Sequence, residues 1–323
     1  MYRSVVRGVG SYLPEKIMTN DDLSQIVDTS DEWIRKRTGI ERRHIAADDE
    51  FTNDLAVAAA ERALAAADMS AADIDLVILA TTTPDNTFPA TAAKVQARLG
   101  VTKGPAFDVQ AVCSGFIFAM TQADNMLRLG QAKRALVIGA EIYSRILDWE
   151  DRSTCVLFGD GSGAIVLEAV DSEGANNERG VLTTILGTDG ANYDKLYVDG
   201  GVATSGNAGC VRMAGQDVFR QAVARMSESV EEALEKAELT KDDLDWLVPH
   251  QANIRIIEQV GKKLGVSRDK VMITVQEHAN TSAATVPLAM THGVKHGHFK
   301  EGDVIALTAM GGGFTWGAIV LRW

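Results

Sequence analysis

Cys113 lies in the stretch AFDVQAVCSGFIFAM, whose composition is typical of the surroundings of a reactive thiol. Phe107 and Val109 indicate a short strand, a turn follows at residues 110–112, and a helical pattern begins after Ser114. The thiol is therefore predicted at a helix N-terminus, where the partial positive charge of the helix stabilises a thiolate and lowers the cysteine pKa. The alternative is a buried cysteine that acts only as a small hydrophobic side chain.

His250, in WLVPHQAN, and Asn280, in EHANTSAATVPLAM, extend the set of polar residues that could act on a substrate. His250 follows an apolar strand, and the ligands of α/β proteins gather at the carboxyl ends of strands. Cysteine, histidine and asparagine also occur together in papain-like proteases, but the order, the spacing and the sequence around the cysteine differ here. The other chemistry is acyl transfer, in which Cys113 accepts an acyl group and the two donors stabilise an enolate oxygen on a second substrate.

A glycine run at 311–313 follows the apolar strand DVIALTAM, and the backbone N–H groups of such a run can form an oxyanion hole. These residues also have structural alternatives. Asn280 could cap the helix that begins with Thr281 and Ser282, and the glycines could form a tight turn. GDGSG, beginning at Gly159, precedes a strand instead of opening a helix, which argues against a dinucleotide-binding loop there.

An internal duplication predicts how the chain positions these residues. Residues 61–77, ERALAAADMSAADIDLV, align without a gap with residues 231–247, EEALEKAELTKDDLDWL. GAIVL also occurs twice, and the copies keep their order along the chain. The sequence therefore indicates two similar halves related by a pseudo-twofold axis. Asn280 follows Cys113 by 167 residues and is expected at the equivalent position of the second half.

The hydrophobic pattern indicates an α/β fold. Apolar residues recur at helical spacing between Phe219 and Ala237, and ALVIGAE and DVIALTAM are continuous apolar runs, as in strands covered on both faces. The polar stretch DSEGANNERG suits a boundary between the halves. The prediction is an N-terminal half, 1–172, that carries the nucleophilic cysteine, and a C-terminal half, 173–323, that carries the histidine and the asparagine.

The composition excludes several classes of function. A net charge of −12 argues against a nucleic-acid or membrane partner, because neutralising phosphates requires an excess of Lys and Arg. No apolar run reaches the roughly 18 residues that a membrane span needs. Three cysteines, an odd number, and an N-terminus without a charged and then apolar leader predict a cytoplasmic protein.

Motifs along the whole chain resemble those of β-ketoacyl-acyl carrier protein synthase III, a thiolase-fold enzyme that starts bacterial type II fatty acid synthesis. They are GSYLPE at Gly10, VDTSDEWI, RTGIERRHIA, VCSGF around Cys113, FGDGSGA, VPHQANIRII around His250, HANTSAA around Asn280 and the C-terminal GGGFTWGAIVLRW. The family usually has a glycine where Ala279 stands. The resemblance implies an α/β, thiolase-like fold whose two duplicated halves form five layers, α-β-α-β-α.

The resemblance also implies a ping-pong mechanism. Cys113 would attack an acyl-coenzyme A, most often acetyl-CoA, and malonyl-acyl carrier protein would then lose CO2. His250 and Asn280 would stabilise the enolate that attacks the acyl-cysteine, and the N–H groups of Cys113 and Gly312 would form the oxyanion hole. A homodimer is expected, with no metal and no cofactor, since the coenzyme A thioester is a substrate.

Further residues match family positions that bind substrates. The matches to the coenzyme A tunnel are Thr29, Trp33, Arg37, Arg152, Gly215, Phe219 and Asn253. Trp33 and Arg152 are expected to sandwich the adenine. The matches to the carrier-protein surface are Arg220, Arg255, Lys262 and Lys263. The matches to the acyl pocket are Phe88, which reaches across the dimer in the family, and Met310, where some members have phenylalanine.

Two other functions stay open at this point. A relative that makes a specialised metabolite, such as an alkylquinolone or a polyketide starter, would condense a different acceptor. A binding module for acyl-CoA or for the carrier protein would perform no acyl transfer, although the intact set of Cys113, His250, Asn280 and Gly312 argues against it. Condensation of an acyl-CoA with malonyl-acyl carrier protein is the leading hypothesis.

Overall fold

Two large β-sheets organise the computed structural model, which describes residues 1–323. The strands are β1 (Tyr2–Tyr12), β2 (Lys16–Thr19), β3 (Arg42–Ile45), β4 (Leu76–Ala80), β5 (Ala106–Val109), β6 (Arg134–Ile142), β7 (Asp160–Asp171), β8 (Gly180–Thr188), β9 (Leu196–Val198), β10 (Val211–Met213), β11 (Trp246–Pro249), β12 (Val304–Gly311) and β13 (Thr315–Arg322). The helices are α1 (Asn20–Ser24), α2 (Asp31–Thr38), α3 (Thr52–Ala66), α4 (Thr91–Leu99), α5 (Gly115–Arg128), α6 (Arg152–Cys155), α7 (Gly215–Lys236), α8 (Ile254–Leu264), α9 (Val275–His278) and α10 (Thr285–Lys295).

The first sheet has the strand order β1-β7-β6-β4-β5, and the second has the order β11-β12-β13-β8. β4 is parallel to both of its neighbours, and β11 is parallel to β12, whereas the other pairs in these two sheets are antiparallel. Every residue of β4 and of β12 is buried. Helices on both faces of the sheets account for the continuous apolar sequences of these strands.

Five layers alternate between helices and sheets. α3 and α4 cover the outer face of the first sheet, α5 and α10 lie between the sheets, and α7 and α8 cover the outer face of the second sheet. This arrangement confirms the predicted α-β-α-β-α order. The largest hydrophobic cluster joins the middle helices to both sheets, and its members include Phe116, Met120, Ile165, Met290 and Leu307.

The two halves repeat each other at an offset of 170 residues over most of their length. Ser70 and Thr240 each precede a 3₁₀ turn, and their hydroxyl groups donate to Asp73 and Asp243 at 2.9 and 2.7 Å. The same offset relates the start of α5 to the start of α10, and the start of β6 to the start of β12. The predicted duplication therefore extends to local hydrogen bonds.

The expected equivalence of Asn280 with Cys113 is wrong. Val112 and Ser282 both have a φ of 49°, and each begins a short 3₁₀ turn that leads directly into a helix of the middle layer. The offset of 170 residues runs through this turn without a gap, so the counterpart of Cys113 is Ala283. Asn280 lies three residues before that counterpart, at the end of the preceding loop.

The first sheet is formed by residues between Tyr2 and Asp171, and the second by residues between Gly180 and Arg322. The division of the chain at residue 172 stays a prediction, because the middle helices pack against both sheets. None of the helices combines the length and the apolar character that crossing a membrane requires.

Candidate active site

The Cys113 thiol lies in the 3₁₀ turn Val112–Ser114, directly before α5. Val112 has the left-handed φ noted above, and such backbone strain is concentrated at functional sites. Cys113 is only 3% exposed. A Cβ on Gly311 would lie 2.6 Å from the Cys113 nitrogen, so only glycine allows β12 to approach the nucleophile turn this closely.

Burial raises the pKa of the Cys113 thiol to about 12, the nearby Ser282 hydroxyl opposes the increase, and the charge of Glu141 adds to it. The predicted position at a helix N-terminus is confirmed, but the predicted lowering of the pKa is wrong. The loss of surrounding water removes more stabilisation from the thiolate than the helix end supplies. The resting site therefore holds a protonated thiol, whose proton must leave when the sulfur attacks a thioester.

His250 directly follows β11, as predicted, and is buried. Its backbone N–H donates to the Thr308 carbonyl on β12 at 2.7 Å, and its Nδ1 lies 2.6 Å from the Thr285 hydroxyl oxygen. Burial lowers the pKa of His250 to about 3, with a smaller contribution from His278. The imidazole is therefore neutral at physiological pH and can donate through one ring nitrogen only.

Asn280 is fixed through both its backbone and its side chain. Its N–H donates to the Leu157 carbonyl at 2.9 Å, and its carbonyl accepts the N–H of Gly159 at 3.1 Å. Its Oδ1 accepts the backbone N–H of Ser282 at 2.8 Å, which leaves the two protons on Nδ2 available. The capping alternative and the donor role are therefore compatible, because they use opposite ends of the amide.

One cavity of about 900 Å³ is lined by Cys113, His250 and Asn280 together with Met310. It also brings together several of the predicted substrate-binding residues, namely Trp33, Arg37, Gly215, Phe219, Asn253, Arg220 and Arg255. A largely apolar cavity with a few convergent polar groups is typical of a small-molecule site. The structure thus unites the three catalytic candidates with most of the predicted coenzyme A residues.

Two arginines stack on the Trp33 ring. The guanidinium carbons of Arg37 and Arg152 lie 4.3 and 4.9 Å from the ring centroid, and Arg152 also donates to the carbonyl of Asp28 at 2.7 Å. An adenine between Trp33 and Arg152 would require about 7 Å, because each stacked contact needs about 3.5 Å. The expected sandwich is therefore closed here, and Arg152 must move away from the indole before an adenine can enter.

The other coenzyme A candidates differ in their settings. Asn253 caps α8, since its Oδ1 accepts a backbone N–H of the first helical turn at 3.0 Å, and its Nδ2 stays available. Gly215 begins α7, and Phe219 lies one turn later with the guanidinium of Arg255 5.5 Å from its ring. The Thr29 hydroxyl is buried without a hydrogen-bond partner, and Thr29 does not line the cavity.

The predicted carrier-protein residues are exposed cations on α7 and α8, namely Arg220, Arg255, Lys262 and Lys263. Arg220 and Arg255 reach the cavity, whereas the two lysines lie in the last turn of α8. Arg220 pairs with Asp217, and the Lys263 ammonium lies 3.8 Å from a carboxylate oxygen of Glu228. These acidic neighbours partly neutralise the patch, so its positive charge is concentrated at Arg255 and Lys262.

Gly312 and Phe88 lie outside the cavity that contains Cys113. Gly312 lines a neighbouring cavity of about 970 Å³, which shares Tyr143 and Leu196 with the first. A Cβ on Gly312 would lie 2.4 Å from the Leu196 carbonyl oxygen, so a larger residue does not fit. Phe88 is 82% exposed and lines neither cavity of its own chain.

Comparison with known proteins identifies the family. A model of 3-oxoacyl-[acyl-carrier-protein] synthase III matches residues 107–190, and a model of the C-terminal region of this synthase matches residues 234–323. The chain is 58% identical to the β-ketoacyl-[acyl-carrier-protein] synthase III of Rhizobium rhizogenes over 323 residues, which covers 100% of both chains. The chain belongs to the β-ketoacyl-acyl carrier protein synthase III family.

Solved structures agree with this membership. A synthase III from Aquifex aeolicus has a TM-score of 0.93 at 46% sequence identity, covering 99% of this chain and 100% of that one. A priming β-ketosynthase from the R1128 polyketide pathway has a TM-score of 0.93 at 35% identity, covering 99% and 96% of the two chains. As a synthase III, the protein has the thiolase fold and is a condensing acyltransferase of fatty acid synthesis.

Four residues near the synthase III site were not predicted from the sequence. Thr285 contacts the His250 ring, and Gln251 fixes the loop after β11 through two donated and two accepted hydrogen bonds. Glu141 and Ser282 act on the Cys113 thiol. The available signal was the presence of polar residues inside apolar segments, as in PHQAN, NTSAAT and VIGAEI.

Proposed function

We propose that this synthase III condenses acetyl-CoA, or another short acyl-CoA, with malonyl-acyl carrier protein through an acyl-Cys113 intermediate. The products are acetoacetyl-acyl carrier protein, coenzyme A and CO2. His250 and Asn280 hold the enolate oxygen, and the N–H groups of Cys113 and Gly312 hold the oxyanion of each tetrahedral intermediate.

The observation that carries this proposal is the meeting of one buried thiol and two hydrogen-bond donors in a single cavity. In a cysteine protease the histidine must take the thiol proton and hold a positive charge. Burial lowers the pKa of His250 to about 3, which disfavours that charge. A neutral imidazole and a free amide N–H pair instead suit the stabilisation of an enolate.

The same geometry supports decarboxylation. When the malonyl group loses CO2, the electron pair moves onto the thioester oxygen, where His250 and Asn280 can each donate one hydrogen bond. Both side chains are buried, so little water is present to protonate the carbanion before it reacts. The carbanion then attacks the acyl carbon on Cys113, and the sulfur leaves as the new carbon–carbon bond forms.

Intact-protein mass spectrometry after exposure to a panel of acyl-CoAs tests the proposal. We expect the mass to rise by one acetyl group with acetyl-CoA and the modification to map to Cys113. A protein that accepts no acyl group from any acyl-CoA would be a binding module and would contradict the proposal. Selective acylation by an unusual starter, with no use of malonyl-acyl carrier protein, would support the priming of a specialised pathway.

Replacing Thr285 with valine is expected to slow malonyl decarboxylation by about tenfold, the kinetic equivalent of one ordinary hydrogen bond. His250 can donate to the enolate through Nε2 only if its Nδ1 accepts a proton, and the hydroxyl 2.6 Å away supplies it. The measurement is the rate of CO2 release from malonyl-acyl carrier protein.

Thr285→Ser is the matched control, because it keeps the hydroxyl and loses only a methyl group. We expect its decarboxylation rate to stay close to that of the wild type. Equal rates for Thr285→Val and Thr285→Ser would show that the hydroxyl does not set the tautomer of His250.

The proposed substrate path uses the remaining matched residues. Coenzyme A would lie along Thr29, Trp33, Arg37, Arg152, Gly215, Phe219 and Asn253, and the stacked arginines supply the positive charge that its phosphates require. The acidic carrier protein would contact Arg220, Arg255, Lys262 and Lys263. Local charge complementarity of this kind is needed in a chain whose net charge is −12.

We also propose a homodimer in which Phe88 closes the acyl pocket of the partner subunit beside Met310. Phe88 is 82% exposed, and Tyr193 and Val202, which line the second cavity, are 71% and 72% exposed. Large apolar side chains clustered at a surface mark an interface. Phe88→Asp is therefore expected to shift the protein from dimer to monomer in analytical ultracentrifugation.

Leu129→Asp is the matched control for Phe88→Asp. Leu129 is 73% exposed and follows the C-terminal end of α5, about 20 Å along the helix from the Cys113 turn. We expect this variant to remain dimeric. A wild-type protein that sediments as a monomer at micromolar concentration would contradict the homodimer.

The proposal includes a cytoplasmic location and needs no cofactor. All three cysteines are free thiols, and the nucleophile must stay reduced, as it does in the cytosol. The thioesters of the two substrates already activate both carbon atoms that react.

A further inference from the structure

Glu141 is a completely buried carboxylate near the end of β6, and the mechanism above does not use it. Its Oε2 accepts the N–H of Thr82 at 3.0 Å and the hydroxyl groups of Thr81 and Thr83 at 3.3 and 2.8 Å. Its Oε1 contacts only the Thr82 hydroxyl, which it shares with Oε2. No arginine or lysine is among the groups that act on its charge, so a structural ion pair does not explain the carboxylate.

The Ser282 side chain connects this carboxylate to the nucleophile. Its hydroxyl is completely buried and faces the Cys113 thiol, the Glu141 carboxylate and the Tyr143 phenol. It completes a hydrogen bond of standard geometry with none of them. A buried hydroxyl without a fixed partner is free to donate to one group while it accepts from another.

The duplication explains why a carboxylate stands at this place. Glu141 corresponds to Gly311 at the offset of 170 residues, and Gly311 lies against the Cys113 turn. In the first half, Gly139 approaches the matching turn, because a Cβ there would lie 2.4 Å from the Ala283 carbonyl oxygen. β6 therefore carries its carboxylate to the pseudo-twofold axis, where β12 carries a glycine.

We propose that Glu141 accepts the Cys113 thiol proton through the Ser282 hydroxyl and holds it for the lifetime of the acyl-enzyme. This inference rests on the proposed function. Glu141 touches no substrate, so it acts as a positioning residue for the proton, whereas Ser282 contacts the reacting sulfur.

The proton balance of the two half-reactions closes. In the first, the thiol proton passes to the Ser282 oxygen and the serine proton passes to Glu141, while the sulfur–acyl bond forms and the bond from the acyl carbon to coenzyme A breaks. Coenzyme A leaves as a thiolate and takes a proton from water. In the second, the enolate carbon displaces the Cys113 thiolate, and the proton stored on Glu141 returns to it through Ser282.

The electrostatics fit this exchange. Burial raises the pKa of Glu141 to about 7, against the hydrogen bonds from Thr83, Thr82 and Ser282 that lower it. The titratable groups that face the cluster are Cys113 before α5 and Tyr143 after β6, and burial raises the pKa of both. At pH 8 the carboxylate is therefore mostly ionised while the thiol keeps its proton, which is the state that acylation requires.

The decisive measurement is the pH profile of acetylation by acetyl-CoA, followed by rapid quench and intact mass. In the wild type we expect the rate to fall as the pH decreases through about 7, because protonation removes the acceptor. Glu141→Gln should lose this inflection and react about 10²–10⁴-fold more slowly at pH 8, the usual contribution of a positioned proton acceptor. Ser282→Ala should show a loss of the same kind with the carboxylate still present.

Thr281→Val is the matched control, because the Thr281 hydroxyl is also completely buried and also lacks a partner, but it is not part of this chain of groups. Its rate and pH profile should match those of the wild type. Binding of coenzyme A and circular dichroism show whether each variant is folded. If Glu141→Gln does not fold, Ser282→Ala and the spectrum described next still decide.

Infrared difference spectroscopy of the acetyl-enzyme minus the free enzyme at pH 8 provides a second readout. The wild type should gain the band of a protonated carboxylic acid, and Glu141→Gln, acetylated slowly, should not. An unchanged inflection in Glu141→Gln, or a wild-type acetyl-enzyme without that band, would overturn this inference alone. A wild type that is never acetylated would overturn the proposed function together with it.

Discussion

Replacing Cys113 with alanine is expected to abolish the acyl-enzyme and to slow condensation by about 10⁴-fold or more, the scale of loss when an enzymatic nucleophile is removed. Decarboxylation of malonyl-acyl carrier protein should persist in the same variant. His250 and Asn280 are held by Thr285 and by the backbone of Ser282, and neither contact involves the sulfur. Intact mass after acetyl-CoA treatment and the release of CO2 measure the two half-reactions separately.

Cys210→Ala is the control for this experiment. Cys210 is a free, partly exposed thiol that does not line the cavity of Cys113. The control variant should take up one acetyl group as the wild type does. Exchange of labelled acetyl groups between acetyl-CoA and coenzyme A by Cys113→Ala would contradict the assignment of the nucleophile.

Replacing His250 with alanine should have the opposite pattern. We expect decarboxylation and condensation to slow by about 10²–10³-fold, the usual cost of one lost donor to an oxyanion. Acetylation of Cys113 should continue, because the neutral imidazole does not take the thiol proton in the proposed mechanism. Time courses of acetylation and of CO2 release by the same preparation test both expectations.

His250→Gln distinguishes the lost donor from the lost volume. The glutamine amide can present a donor close to the position of the imidazole Nε2, so its decarboxylation rate should exceed that of His250→Ala. Asn280→Ala should resemble His250→Ala, and the double variant should lose less than the product of the two single losses. Loss of acetylation in His250→Ala would instead identify the histidine as the base for the thiol.

Much of the architecture could be predicted from the sequence because it depends on local patterns. The apolar runs ALVIGAE and DVIALTAM form β6 and β12, and the amphipathic pattern from Phe219 to Ala237 forms most of α7. The gap-free alignment of residues 61–77 with 231–247 predicted two halves. His250 lies at the end of a strand and Cys113 at the start of a helix, as the order of these elements required.

The electrostatics of the site could not be predicted in the same way. A helix end close to Cys113 is visible in the sequence, whereas the exclusion of water around the sulfur depends on segments far apart in the chain. The same is true of Glu141, which meets Ser282 only because β6 and the turn before α10 pack together. The equivalence of Asn280 with Cys113 failed because one local motif was aligned without the offset of the surrounding elements.

The closely packed glycines give the enzyme a fixed gauge for carbon–carbon bond formation. Gly311 holds β12 against the Cys113 turn, and Gly139 holds β6 against the turn that follows Asn280. Backbone contacts, which vary much less than side-chain rotamers, therefore set the gap between the acyl carbon and the carbanion, which must close to about 3–3.5 Å. Engineering of acyl-chain preference should begin at Met310 and leave both glycines unchanged, so that the pocket changes in length while the reacting distance does not.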